Sequence, residues 1–194
     1  VSRENPSTRE RILTAAWNLL DSNPGTAARM SDIAKAAGVS RQALYLHFPN
    51  RTELFIATTR HQDEVFGVLD MLSASRAATS GEDRLAAFVT AWGNYIPKIF
   101  GVAKTLMIMS ETDADAAGAW HERMADLREG CAAAVAALAR DGVLIKEQKD
   151  ATDLLWTLLS IPTWEQLTRL CDWPQDRYVM EILRLARLAL CGRA

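Results

Sequence analysis

Residues 31–51 read Ser-Asp-Ile-Ala-Lys-Ala-Ala-Gly-Val-Ser-Arg-Gln-Ala-Leu-Tyr-Leu-His-Phe-Pro-Asn-Arg, and this stretch decides the fold. It predicts a short helix, a glycine turn and a second short helix, the arrangement that seats one helix in the major groove of DNA. Ile33, Ala34 and Ala37 give the first helix a small apolar face that lets another helix come close. Gly38 follows where a left-handed backbone suits glycine. Val39 is expected to plug the space between the helices, and Ser40 to cap the second one. Leu44 and Phe48 lie four apart and share an inward face. Arg41, Gln42 and Tyr45 are left to meet a partner. Arginine pairs with guanine edges and glutamine with adenine edges, whereas Tyr45, His47, Asn50 and Arg51 are types that hold phosphate. Pro49 stops the helix.

Working outward, Ser7 and Glu10 have capping-box spacing and open a helix with Ile12, Leu13, Ala16, Trp17 and Leu20 at helical period. Asn23-Pro24-Gly25 ends it, which completes a three-helix head. Arg3 and Arg9 read as solvated charge, with phosphate contact as the alternative.

With these residues in place, the segment Thr8 to Phe55 resembles the N-terminal DNA-binding domain of the TetR family of transcriptional regulators. The resemblance is carried by Thr-Arg-Glu-Arg-Ile-Leu-Thr-Ala-Ala at 8–16, Asp-Ile-Ala-Lys-Ala-Ala-Gly-Val-Ser at 32–40 and Leu-Tyr-Leu-His-Phe-Pro-Asn-Arg-Thr-Glu-Leu-Phe at 44–55. It implies an all-α chain, with a helix-turn-helix domain at 1–51 and a helical effector-binding and dimerisation domain at 52–194. It further implies a homodimer, paired through its two C-terminal helices, that binds a near-palindromic double-stranded DNA operator, represses, and is released by a small molecule. By position, Ser40, Arg41, Gln42 and Tyr45 match the DNA-contacting helix and His47 matches a phosphate contact. Arg51 stands where lysine is usual and keeps the charge with a different geometry. Arg29 and Met30 replace the usual hydroxyl cap, so the contact there is expected from Arg29 or Ser31.

The net charge of −2 over 194 residues resolves into +3 for residues 1–51 and −5 for the rest. A basic head on an acidic body fits local phosphate binding and argues against coating of nucleic acid along the whole chain. No apolar run is long enough to span a bilayer and no signal-peptide pattern appears, so the expected location is the cytoplasm, away from membrane. Cys131, Cys171 and Cys191 are odd in number and lack CxxC spacing, which predicts buried thiols in a reducing compartment. An enzyme is not expected: His47, His61 and His121 are scattered, and His121-Glu122 has Ala125 where a zinc motif needs histidine. No metal or cofactor is called for.

Beyond the head, Thr52 and Glu53 open a helix expected to reach about Ser73. A loop is expected at 75–81, then a helix to about Phe100 interrupted near Pro97, and a short apolar helix from Val102 to about Ser110. A long Ala-rich helix ends at Asp141-Gly142. A helix over Asp150 to Cys171 should be kinked or divided by Pro162, and Pro174 begins the last helix. The aromatic-rich middle predicts a core together with a cavity for a small, largely apolar effector. Its candidate contacts are Trp92, Tyr95, Met107, Trp120, His121, Trp156, Thr163 and Gln166. A cysteine-switched regulator and a helical scaffold protein remain as alternatives.

Overall fold

A computed structural model describes residues 6–192 of the chain; Arg3 lies outside the described residues. Every regular element among them is helical: α1 (Thr8–Ser22), α2 (Met30–Ala37), α3 (Arg41–His47), α4 (Arg51–Phe66), α5 (Val68–Met71), α6 (Ser73–Ala77), α7 (Gly81–Met109), α8 (Ala114–Arg140), α9 (Gln148–Leu158), α10 (Ile161–Glu165) and α11 (Gln175–Cys191). A π turn, Gln166–Leu170, continues α10.

The chain groups into two compact units, one running to Phe66 and including Ile99–His121, the other holding Gly67–Lys98 and Glu122 onward. Packing thus draws the line differently from a division at 51/52. The reason lies in Leu54 and Phe55 of α4, both fully buried, which join the core of the first unit together with Val102, Leu106 and Met109 of α7 and Ala116 of α8.

Within the first unit, α1 carries the expected capping box: Glu10 N–H donates to Ser7 Oγ and Ser7 N–H to the Glu10 carboxylate. Ile12, Leu13, Ala16 and Leu20 form its buried stripe. They pack in one core with Ile33, Ala34 and Ala37 of α2, Leu44 of α3, and Phe48. Burying a side chain the size of leucine or phenylalanine stabilises by roughly 1.5–3 kcal/mol, and this is what gives three short helices a fixed arrangement. Gly101 of α7 meets the end of α1 so closely that a Cβ there would sit 2.6 Å from Asp21 Cα and 2.7 Å from Leu20 O.

Three sequence expectations need correction. The helix after residue 51 stops at Phe66 rather than near Ser73. Gly67 takes φ 59 there, and α5 and α6 follow, so 75–77 is helical rather than loop. Pro97 does not interrupt its helix, since α7 is continuous from Gly81 to Met109. Proline at 97 removes the donor for the carbonyl four residues earlier. That carbonyl belongs to Gly93 and accepts instead from Gln175 Nε2 at 2.9 Å. The expected division at Pro162 does occur: α9 ends at Leu158, and Pro162 lies in the first turn of α10, where its missing N–H costs nothing. Ser160 caps that second helix through Thr163 N–H.

In the second unit Phe88, Tyr95 and Ile96 of α7, Val135 and Leu138 of α8, Leu155 of α9, Trp164 of α10, and Tyr178 and Ile182 of α11 are buried. Trp164 N–H donates to Gln175 Oε1 (2.9 Å) and Trp92 N–H to Leu159 O (2.8 Å), so two indoles brace the helices around them. The thiols do not all behave as expected. Cys131 is buried, but Cys171 is exposed and Cys191 half-buried. Cys171 sits where the π turn ends and the backbone reverses through Asp172 at φ 52, which carries it out of the apolar interior.

Candidate nucleic-acid interface

The interface is built outward from one turn. Gly38 ends α2 with φ 64 and ψ 38. Val39 N–H reaches back to Ala34 O at 3.0 Å, closing the helix end in the glycine-dependent way. Arg11 of α1 reinforces this turn, its Nη2 donating to Ala37 O (2.6 Å) and Gly38 O (2.9 Å). A cation is thereby placed on carbonyls carrying the negative end of the α2 dipole. Ser40 Oγ accepts from Ala43 N–H at 3.0 Å and starts α3.

Leu44 and Phe48 (0% and 3% exposed) fix the rotation of α3 against the core, and the Arg9 guanidinium lies 5.0 Å from the Phe48 ring centre. The remaining face of α3 is solvent-facing: Arg41, Gln42, Tyr45, Leu46 and His47 are all exposed. Arg41 lies over the Tyr45 ring at 5.7 Å, a cation–π pair that holds two long side chains together. No acidic residue occurs between Asp32 and Glu53, a segment that holds the cations Lys35, Arg41 and Arg51.

The other expected contact residues are distributed as follows. Arg29 is the exposed N-cap residue of α2 and makes no side-chain cap bond, while Ser31 is exposed in the first turn of that helix. Met30 is buried, so apolar anchoring takes the place of a hydroxyl cap at that position. Asn50 is exposed but already engaged, because its Oδ1 accepts from Glu53 N–H (2.8 Å) and its Nδ2 donates to Glu53 Oε1 (2.9 Å), making it the cap of α4. Arg51 is exposed beside it. Three residues of this region escaped the sequence reading. Arg9 reads as solvated charge and Arg11 receives no role, because a partner more than 25 residues away leaves no local pattern. Leu46 receives no role either, although its distance of two from Leu44 turns it outward.

The eight candidate effector contacts do not fall in one place. Met107 and Trp120 are half-buried and His121 is exposed, all in the first unit, where Trp120 packs against the core of the head. Trp92, Tyr95, Trp156, Thr163 and Gln166 belong to the second. There Tyr95 is buried, its ring 5.8 Å from that of Trp92. The Thr163 hydroxyl is used by Thr157 O at 2.9 Å, and Gln166 is exposed in the π turn. Three buried polar atoms of this unit, Trp156 Nε1, the Tyr178 hydroxyl and Arg187 Nε, have no hydrogen-bond partner, and burial pushes the Tyr178 pKa upward. Among the described residues no cluster of three metal-ligating side chains occurs and no helix is long and apolar enough to cross a membrane.

Residues 12–58 match the family model for bacterial regulatory proteins of the tetR family. The nucleoid occlusion factor SlmA of Marinobacter nauticus is 39% identical over 64 residues, 33% of this chain and 33% of that protein. The HTH-type transcriptional activator FasR of Mycolicibacterium smegmatis is 37% identical over 89 residues, 45% of this chain and 40% of that protein. The chain thus aligns with a third to two-fifths of these relatives' lengths. In fold the likeness runs through nearly the whole chain. A protein from Saccharomonospora viridis, described as a transcriptional regulator in complex with choline, superposes with a TM-score of 0.81 at 17% identity, covering 95% of this chain and 98% of that one. The glycine turn, the capped α3 and the buried α1 stripe all lie inside the matched segment, so the head of this chain, residues 12–58, is of the tetR-family type.

Proposed function

We propose that this chain is a DNA-binding transcriptional regulator that places α3 in the major groove and acts as a homodimer on a palindromic operator. It serves as a repressor that a small, largely apolar effector releases. The observation that carries the DNA-binding part is the orientation of α3. Burial of Leu44 and Phe48 leaves Arg41, Gln42, Tyr45 and His47 outward, in a segment, 33–52, that holds no acidic residue. Arg29, Ser31 and Arg51 flank that face as phosphate contacts, while Ser40 and Asn50 serve first as caps.

Pairing of two copies is supported by apolar side chains left exposed towards the C-terminal end, including Leu154, Leu170, Met180 and Leu188. Two heads one DNA turn apart require a spacing of roughly 34–36 Å. An effector that prefers a differently spaced conformer lowers operator affinity by its differential affinity for the two states. The orphaned Trp156 N–H and Tyr178 O–H support an effector site in the second unit, because buried polar groups without a partner call for a ligand or water.

Footprinting on the promoters of its own and adjacent genes tests the reading. A protected, two-fold symmetric site is expected, with affinity falling steeply as salt rises. Tyr45→Ala should abolish protection while the protein stays folded. Indifference of the purified protein to every duplex at low ionic strength would sink the proposal. A compound screen on the bound complex then tests release.

A further inference from the structure

Leu46 is 81% exposed, the highest value among the large apolar side chains of the described residues, and it stands in the middle of the polar face of α3. At about 100° per residue it lies about 180° from the mean direction of Leu44 and Phe48. Its neighbour on that outward line is Gln42, one turn earlier. An exposed leucine gains nothing from water, and no fold requirement holds it there. The one apolar group that duplex DNA offers in the major groove is the C5-methyl of thymine. A glutamine on the same line recognises the adenine edge through N6 and N7.

We infer that Leu46 is a specificity-determining residue that reads a thymine methyl in each operator half-site, next to an adenine read by Gln42. The inference rests on the proposed DNA-binding function and deepens it. Leu46 meets the methyl with its own terminal methyl groups and expels water from between them, whereas the phosphate contacts of Arg51 and His47 leave the sequence unread.

The test uses the full chain and an operator duplex recovered by selection from a random pool. Each thymine is replaced in turn by deoxyuridine, which deletes the methyl and leaves every hydrogen-bonding group intact. Binding is read by fluorescence anisotropy for the wild type and for Leu46→Ala. One thymine position per half-site should lose affinity by about fourfold for the wild type on loss of its methyl, the worth of burying one such group. The same replacement should leave Leu46→Ala unchanged. Equal deoxyuridine profiles for the two proteins overturn the inference while leaving DNA binding intact; absence of any selected duplex overturns both. Since Leu46 makes no core contact, Leu46→Ala should melt with the wild type, and a drop in its melting temperature would count against the assignment.

Discussion

Thr52, the second residue of α4, donates its hydroxyl to Asp113 Oδ2 at 2.6 Å across 61 positions of sequence. Asp113 uses its other oxygen to accept Ala116 N–H at 3.0 Å, capping α8. One carboxylate therefore ties the start of α4 to the turn between α7 and α8. Hydrogen bonding from Thr52, then from the Ala116 backbone, holds its pKa below the usual carboxylate range.

This fixes a sign for pH dependence. A carboxyl whose folded pKa is depressed contributes stability that is present above its unfolded value, about 3.9, and is lost as pH falls through the folded pKa. The melting temperature of Asp113→Asn should lie below wild type at neutral pH. The gap should close below about pH 4, as the wild-type carboxyl protonates. A gap that is constant from pH 7 to pH 3 would show that the charge of Asp113 is not what matters.

Gln175 satisfies two groups at once, the Gly93 carbonyl and the Trp164 N–H. Gln175→Leu should cost about 1–3 kcal/mol in denaturant titration, the penalty for leaving buried polar groups unmade. In a Pro97→Ala background residue 97 regains an N–H for Gly93 O, so Gln175→Leu should cost less there. Additive losses in this double-mutant cycle would contradict the assignment.

Two helical glycines should respond oppositely to a methyl group. At Gly101 the added Cβ meets backbone atoms of Asp21 and Leu20 at 2.6–2.7 Å, and Gly101→Ala should destabilise by about 1–3 kcal/mol. At Gly118 of α8 nothing lies within 4 Å, and Gly118→Ala should stabilise by about 0.5–1 kcal/mol through helix propensity. Thermal melts of the two variants decide both signs.

The thiols offer a test of cysteine switching. Burial pushes the Cys131 pKa up to about 12, whereas Cys171 is exposed. A thiol-reactive dye on the folded protein should label Cys171 rapidly and Cys131 only on unfolding. Alkylation of Cys171 should leave operator affinity unchanged; loss of binding would favour the redox-controlled alternative.

The head was legible because its determinants are local. Ser7 with Glu10, Gly38, Ser40, and the Leu44–Phe48 pair each act within five residues, so the spacing alone reveals the cap, the turn and the inward face. The second unit was less so. Gly67 breaking α4 and Ser160 beginning α10 could have been read from a glycine and from a serine two residues before a proline. By contrast, the continuity of α7 through Pro97 depends on Gln175, 82 residues beyond Gly93.

By itself the sequence determined the all-helical character and the helix-turn-helix, since these follow from periodicity, capping and one left-handed glycine, and its motifs carried the likeness of the head to the tetR family. Tertiary structure alone decided which polar groups are consumed within the fold and which stay available. Arg11 clamps the turn after α2 from 26 residues away, Gln175 takes up the Gly93 carbonyl, and the Trp156 and Tyr178 donors are left without partners. A hydrogen bond or a buried surface between distant residues depends on where the chain returns in space, and nothing in the spacing of neighbours records that return.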